Sequence, residues 1–149
     1  MTELDAHGWR RLIGNWATGV SVITSKGNAG PRGCAANALT SLSLDPLLLL
    51  VCFDHSSNTL QAVRESGRFC INILAAGQET VSRRFATKET QEEKFREVEY
   101  RYEDDMPVLE GGDHTIVVAR PIKGDTGPAE APLIFFRSGY YEPEDISVA

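Results

Sequence analysis

A chain of 149 residues with 42% hydrophobic and 24% charged residues reads as one globular domain, 1–149, large enough for a core of its own. The net charge of −6 speaks against nucleic acid as a partner, since phosphate-backbone binding needs clustered Lys and Arg. The longest apolar run is far too short to span a membrane, and no charged-then-apolar leader with a cleavage site opens the chain, so a cytoplasmic protein without membrane attachment is expected.

In chain order, Leu4 to Trp16 is an amphipathic segment, with Trp9, Leu12, Ile13 and Trp16 at helical spacing. Thr18 to Thr24 alternates β-branched and small residues, the pattern of a half-buried strand. Two glycines and a proline between Lys26 and Arg32 predict a hairpin turn, and Cys34 to Leu42 is the returning strand. Asp45-Pro46 disfavours helix, and the seven apolar residues Leu47 to Phe53 that follow suit a strand buried on both faces. A polar turn, Asp54 to Thr59, opens a helix over Leu60–Ser66. Phe69 to Leu74 is a further strand, Gln78 to Phe85 a polar helix, and Thr87 to Phe95 a charged, solvated segment. Glu97 to Asp105 reads as a surface loop or edge strand, Thr115 to Ala119 as a strand, Gly124 to Pro132 as turn-rich, and Leu133 to Phe136 as the last strand. Many short strands with two or three helices favour a β-barrel with helical excursions.

The three cysteines, Cys34, Cys52 and Cys70, show no metal-ligand spacing, so free thiols and no metal are expected. The stretch from Gly33 to Thr59 carries the most chemical information. Its apolar strand separates two polar turns, one of small, amide and hydroxyl residues (Asn37 to Ser43), the other Asp54 to Thr59. Hydroxyls and free backbone N–H groups at a helix start make a ready anion site. The simpler reading is that Ser56 or Ser57 merely caps the helix. For the first turn the simpler reading is an ordinary connection between strands. No Ser-His-Asp or Cys-His arrangement is evident by motif.

Several motifs recur here in a fixed order: Trp16-Ala17-Thr18-Gly19-Val20-Ser21-Val22-Ile23-Thr24, Asn37…Ser41-Leu42-Ser43-Leu44-Asp45-Pro46, Ser56-Ser57-Asn58-Thr59, Gly67-Arg68-Phe69-Cys70-Ile71-Asn72-Ile73-Leu74, Arg84-Phe85-Ala86, Gly112-Asp113-His114 and Pro132-Leu133…Gly139-Tyr140. Individually weak, in combination they make the chain resemble the flavin reductase-like family over roughly residues 9–141, nearly its whole length. These are the reductase components of two-component flavin-dependent monooxygenases.

The resemblance implies a mainly β fold, an FMN-binding split β-barrel with a few flanking helices. It implies transfer of a hydride from NADH or NADPH to FMN or FAD, a homodimer, and a separate oxygenase that receives reduced flavin by diffusion. On this reading Ser56, Ser57, Thr59 and Arg84 supply the N–H groups, hydroxyls and cation that bind the flavin phosphate. The Ala36-Asn37-Ala38-Leu39-Thr40-Ser41 turn lets the main chain approach the isoalloxazine ring. His114 lies near the nicotinamide, with a structural histidine at a strand start as the plainer reading. No basic cluster able to grip a 2′-phosphate stands out, which leans toward NADH.

One departure from the family pattern is notable. Family members carry an extra strand between the Pro107-Val108-Leu109-Glu110-Gly111 element and the Gly-Asp-His motif, whereas here Gly111 runs directly into Gly112. The barrel is therefore expected to lack or rebuild one strand; a gap in the sequence, a true deletion and a remodelled protein each fit. The last of these keeps a second function open, a flavin- or haem-binding split-barrel protein without reductase turnover.

Overall fold

A computed structural model describes residues 5–96, 109–111, 114–119 and 132–141. The expected loop over Glu97–Asp105 and the turn-rich stretch before Pro132 lie outside these residues.

The first helix, α1, spans Ala6–Ile13, with Asp5 as its N-cap accepting from the Gly8 N–H at 2.7 Å. Its apolar stripe stays largely open among the described residues: Trp9 is 51% and Leu12 58% exposed, and Trp16 just beyond is 72% exposed. A two-residue strand β1, Thr18–Gly19, precedes β2, Ser21–Gly27, which turns back into β3, Gly30–Ala36. Gly30 at φ 96° takes the left-handed conformation that this turn needs.

The expected single strand over Cys34–Leu42 is two strands. β3 pairs with β2 as far as Ala36, then the chain crosses at Asn37–Ala38 and enters β4, Leu39–Leu44, which pairs with β5, Leu47–Asp54. The cause is a change of partner, which no local pattern encodes. β5 is also covered less completely than its composition suggests. Val51 and Phe53 are buried, but Leu47 is half exposed, so burial is confined to the end that α2 (Asn58–Ser66) covers. Gly67, in the left-handed region, ends α2.

After β6 (Cys70–Ile73) and α3 (Glu79–Ala86) the structure departs from expectation again. The segment Thr87–Phe95 is not simply solvated but contains α4, Gln91–Phe95, whose Lys94 and Phe95 are buried. A capping box between Thr90 and Glu93 starts the helix, and Phe95 meets Phe85 edge-to-face with centroids 5.1 Å apart. Gly33 makes room for both rings, since a Cβ there would sit 2.5 Å from Phe85. Four short strands follow: β7 (Leu109–Gly111), β8 (His114–Ala119), β9 (Ile134–Phe136) and β10 (Gly139–Tyr141).

The strands form three sheets, ordered β1-β9-β10, β3-β2-β6 and β4-β5-β8-β7. β7 pairs antiparallel with β8 from Leu109↔Ile116 to Gly111↔His114, and lies at the edge of its sheet. Two buried clusters fill the interior. Ile23, Val51, Phe53, Leu60 and Val63 lie under α2, whereas Val22, Leu74, Phe85, Phe95 and Leu133 lie under α3 and α4.

Candidate functional site

Strand register brings three separate motifs to one end of the four-stranded sheet. Leu39 pairs with Val51, and the Cys52 N–H donates to the Ala38 carbonyl at 3.0 Å, which pins the Asn37–Ala38 crossing beside the C-terminal half of β5. On the other side of β5, His114 pairs with Asp54. Asp54 is the last residue of β5 and begins the turn into α2. The crossing, the turn and the start of β8 therefore converge, although 16 to 76 positions separate them in the chain.

The crossing residues are open. Asn37, Ala38, Thr40 and Ser41 are exposed, while Ala36 and Leu39 are half buried. The Ala36 carbonyl accepts from the Ser21 hydroxyl at 2.7 Å. Both β3 and β4 are edge strands of their sheets, so among the described residues the main-chain groups on their outer edges have no strand partner. Small side chains on an open backbone edge let a planar ring with donor and acceptor edges come close.

The second turn has the polarity of an anion site. Ser57 is the N-cap of α2, its hydroxyl accepting from Leu60 N–H at 3.3 Å. Its N–H is spent on the Asp54 carbonyl, and the Ser56 N–H and hydroxyl both go to the Asp54 carboxylate. The next two N–H groups, of Asn58 and Thr59, meet no acceptor among the described residues. The Thr59 side chain points inward: it is 1% exposed, and its hydroxyl lies against the Cys34 thiol without a hydrogen bond that satisfies it. An anion at the α2 start therefore finds two backbone donors and the Ser57 hydroxyl, with Thr59 offering its N–H rather than its side chain.

Behind this turn sits a buried polar cluster that the sequence did not single out. Burial pushes the Cys34 thiol up, and the Thr59 and Ser57 hydroxyls and the nearby Lys94 ammonium pull it partly back. Lys94 is 4% exposed and donates to the Phe85 carbonyl at 3.3 Å, and desolvation holds its ammonium below the usual lysine range. The signal for it was the capping box at Thr90, which marks the helix that carries Lys94. Arg84, on α3, lines a surface cavity of about 240 Å³ with Glu89, Glu93 and Arg96. All three cysteines are free and half buried, and no metal-binding group occurs among the described residues.

Together these features define a mainly β protein with an open-edged crossing and an anion-ready helix start side by side, an arrangement suited to a flat, phosphorylated cofactor. The chain belongs to the flavin reductase like domain family, whose profile matches residues 13–111. The match ends at Gly111. The chain is 34% identical over 167 aligned positions to the reductase subunit HsaB of a flavin-dependent monooxygenase from Mycobacterium tuberculosis, covering 99% of this chain and 88% of that protein. An alignment of 167 positions against at most 149 residues leaves at least about eighteen positions of the relative facing no residue here, the size of a missing strand and its turn. A flavin reductase (NADH) from Kitasatospora aureofaciens is 33% identical, with 92% of this chain and 81% of that one covered. Among solved structures, the NADH:FAD oxidoreductase SgcE6 of Streptomyces globisporus superposes with a TM-score of 0.85 at 28% identity, over 95% of this chain and 97% of that one. The fold is thus the split-barrel type of the flavin reductases. No helix among the described residues is long and apolar enough to cross a membrane.

Proposed function

We propose that this chain is the reductase component of a two-component flavin-dependent monooxygenase, which transfers a hydride from NADH to FMN or FAD and supplies the reduced flavin to a separate oxygenase. The observation that carries the reading is the convergence of the Ala36–Ser41 crossing, the Ser56–Thr59 turn and the start of β8 at one sheet end. The residues fit a flavin: the free Asn58 and Thr59 N–H groups suit its phosphate, and the open edge at Asn37–Ser41 suits its ring. The flavin and the nicotinamide supply the hydride chemistry themselves when bound together.

The protein's part is to position and enclose. The α2 start holds the phosphate end with backbone donors and the positive end of the helix dipole. The crossing presents main-chain groups to the polar edge of the ring, so that its face stays free for the nicotinamide. His114, adjacent to Asp54 in register, serves the nicotinamide half-reaction by positioning that ring. Arg84 adds positive charge to the phosphate side. Relatives described as NADH-dependent support the choice of nicotinamide.

The chain works as a cytoplasmic homodimer, and a second copy closes the site. What supports this is the exposed apolar set on α1 together with Leu42, Leu44 and Leu47 on the β4–β5 hairpin, of which Leu44 is 83% exposed.

The reading is tested at Asn58. Position N1 of a helix accepts proline, and Ser57 before it is already extended at ψ 121°. Asn58→Pro therefore deletes one free N–H without opposing the helix. Loss of one hydrogen bond to a charged group, about 1.5–3 kcal/mol, is expected to weaken FMN binding more than tenfold with little change in melting temperature. Unchanged FMN affinity in a folded variant contradicts the placement. His114→Ala is expected to raise the KM for NADH and leave the flavin Kd alone; lost flavin affinity with intact NADH kinetics reverses the assignment.

A further inference from the structure

A groove of about 470 Å³ runs from the anion-ready helix start along the outer face of α2, within the size range of small-molecule sites. Asn58, Gln61 and Glu65 line one wall at spacings of three and four, so they share one helix face over two turns. Arg32, from the β2–β3 hairpin, lines the opposite wall, and the first turn of α4 closes the end.

The groove is preformed. Glu65 accepts from the Asn28 N–H at 2.7 Å and from the Gln61 side-chain amide at 2.9 Å, which ties the hairpin to α2. The Gly33 N–H donates to the Gln91 side-chain oxygen at 2.8 Å, which ties α4 to β3. With its carboxylate engaged on both oxygens, Glu65 is a wall rather than a free acid. The Asn58 carboxamide, the Gln61 side-chain carbonyl and the Arg32 guanidinium are open to a ligand; the guanidinium donates to the Pro31 carbonyl at 3.0 Å and its charge also favours the Glu65 carboxylate, and Glu92 adds an acidic group to the lining.

These groups match a nucleotide extending from the phosphate already assigned to the α2 start. An anion on the Asn58 and Thr59 N–H groups sits at the groove's mouth, because Asn58 belongs to both. A second phosphate then meets the Arg32 guanidinium, whose planar fork suits phosphate oxygens. Ribose hydroxyls and an adenine edge, which both donate and accept, match the two carboxamides. FMN ends at its single phosphate and leaves this groove empty. We propose that the groove takes the adenylate half of FAD, so that the dinucleotide flavin is the preferred substrate. This rests on the reading of the α2 start as the flavin phosphate site.

The test compares FAD and FMN affinities, by quenching of flavin fluorescence, for the wild-type protein, Arg32→Gln and the double variant Arg32→Gln/Gln61→Ala. Gln61 is exposed and Arg32 half buried, and circular dichroism confirms folding. The wild type is expected to bind FAD about tenfold or more tightly than FMN, and the double variant to lose about tenfold in FAD affinity while FMN stays within about twofold. Equal loss of both flavins overturns the proposal, as does unchanged FAD affinity. A raised KM for NADH with FAD unaffected also overturns it, because the groove then holds the adenylate of the nicotinamide cofactor. Tight FMN binding without an FAD advantage in the wild type sinks the groove alone, whereas a protein that binds neither flavin sinks the phosphate site and the groove with it.

Discussion

Two short helices, α1 and α4, end on opposite sides of the surface, and their compositions alone would exchange them. α1 carries Trp9, Leu12 and Ile13 on one stripe and exposes all three by about half. α4, Gln-Glu-Glu-Lys-Phe, is mostly charged, yet it buries Phe95 and the length of Lys94 against β3 and α3. Burial is set by the surface a helix is laid on, and α4 meets a notch at Gly33 where a ring fits. The stripe of α1 finds no such surface among the described residues. An apolar face of this size costs hydration unless a partner covers it.

That contrast can be broken from the α4 side first. Phe95→Ala empties a ring from a packed edge-to-face pair and is expected to cost about 3–5 kcal/mol, read as a lower midpoint of urea unfolding. A cost under about 1 kcal/mol would mean that α4 is not held as described. On the α1 side the same kind of change acts on association instead. Leu12→Asp with Trp16→Ser should leave the unfolding free energy of the monomer nearly unchanged and shift the species seen by light scattering from about 33 kDa, twice the 16.4 kDa chain, to a single chain. A wild-type chain that is already monomeric, with full flavin affinity, removes the partner from the account.

Lys94 sharpens the comparison, because it is the charged residue that α4 buries. Replacing an ammonium that desolvation disfavours with an apolar chain of similar length, Lys94→Met, is expected to stabilise by about 1 kcal/mol at neutral pH. The sign of its pH dependence follows from the lowered ammonium pKa. The unfolded chain holds that proton more tightly, so wild-type stability rises as pH climbs from the lowered value toward the ordinary 10.5, and the advantage of Lys94→Met shrinks. An advantage that grows with pH would mean that the ammonium is favoured by folding. The smallest effect concerns Cys34. With its thiol pushed up by burial, it should resist alkylation at pH 8 in the folded protein and react on unfolding. Rapid labelling of the native chain at Cys34 contradicts the packing around Thr59.

Much of the fold could be read from the sequence, in a way that follows the range of the interactions involved. The β2–β3 hairpin, α2 with its Ser57 cap and left-handed Gly67, and α3 depend on neighbours close in sequence, and their signals are plain. The change of partner at Asn37–Ala38 is a choice between β2 and β5 that the run Cys34–Leu42 does not record. α4 was hidden by its charge, although Thr90 and Glu93 form the capping pattern that marks a helix start. The β9–β10 turn uses Arg137 and Ser138, both at positive φ, where Asn or Gly would have announced it. For the site, the resemblance named the segments, but only the register puts His114 beside Asp54 and Ala38 beside Cys52. The inward turn of the Thr59 side chain and the approach of Lys94 to Cys34 behind it depend on tertiary packing, and the only local sign was the capping pattern at Thr90 that starts the helix carrying Lys94.

The most direct measurement of the central claim is anaerobic mixing of the full chain with excess NADH and either flavin, following nicotinamide and oxidised-flavin absorbance together. The account predicts catalytic loss of one flavin absorbance equivalent per NADH consumed, over many equivalents of protein, with turnover of about 1 per second or faster. Flavin bound at one per chain, with no NADH consumed beyond the background rate, would contradict it and leave a flavin-binding protein without reductase turnover.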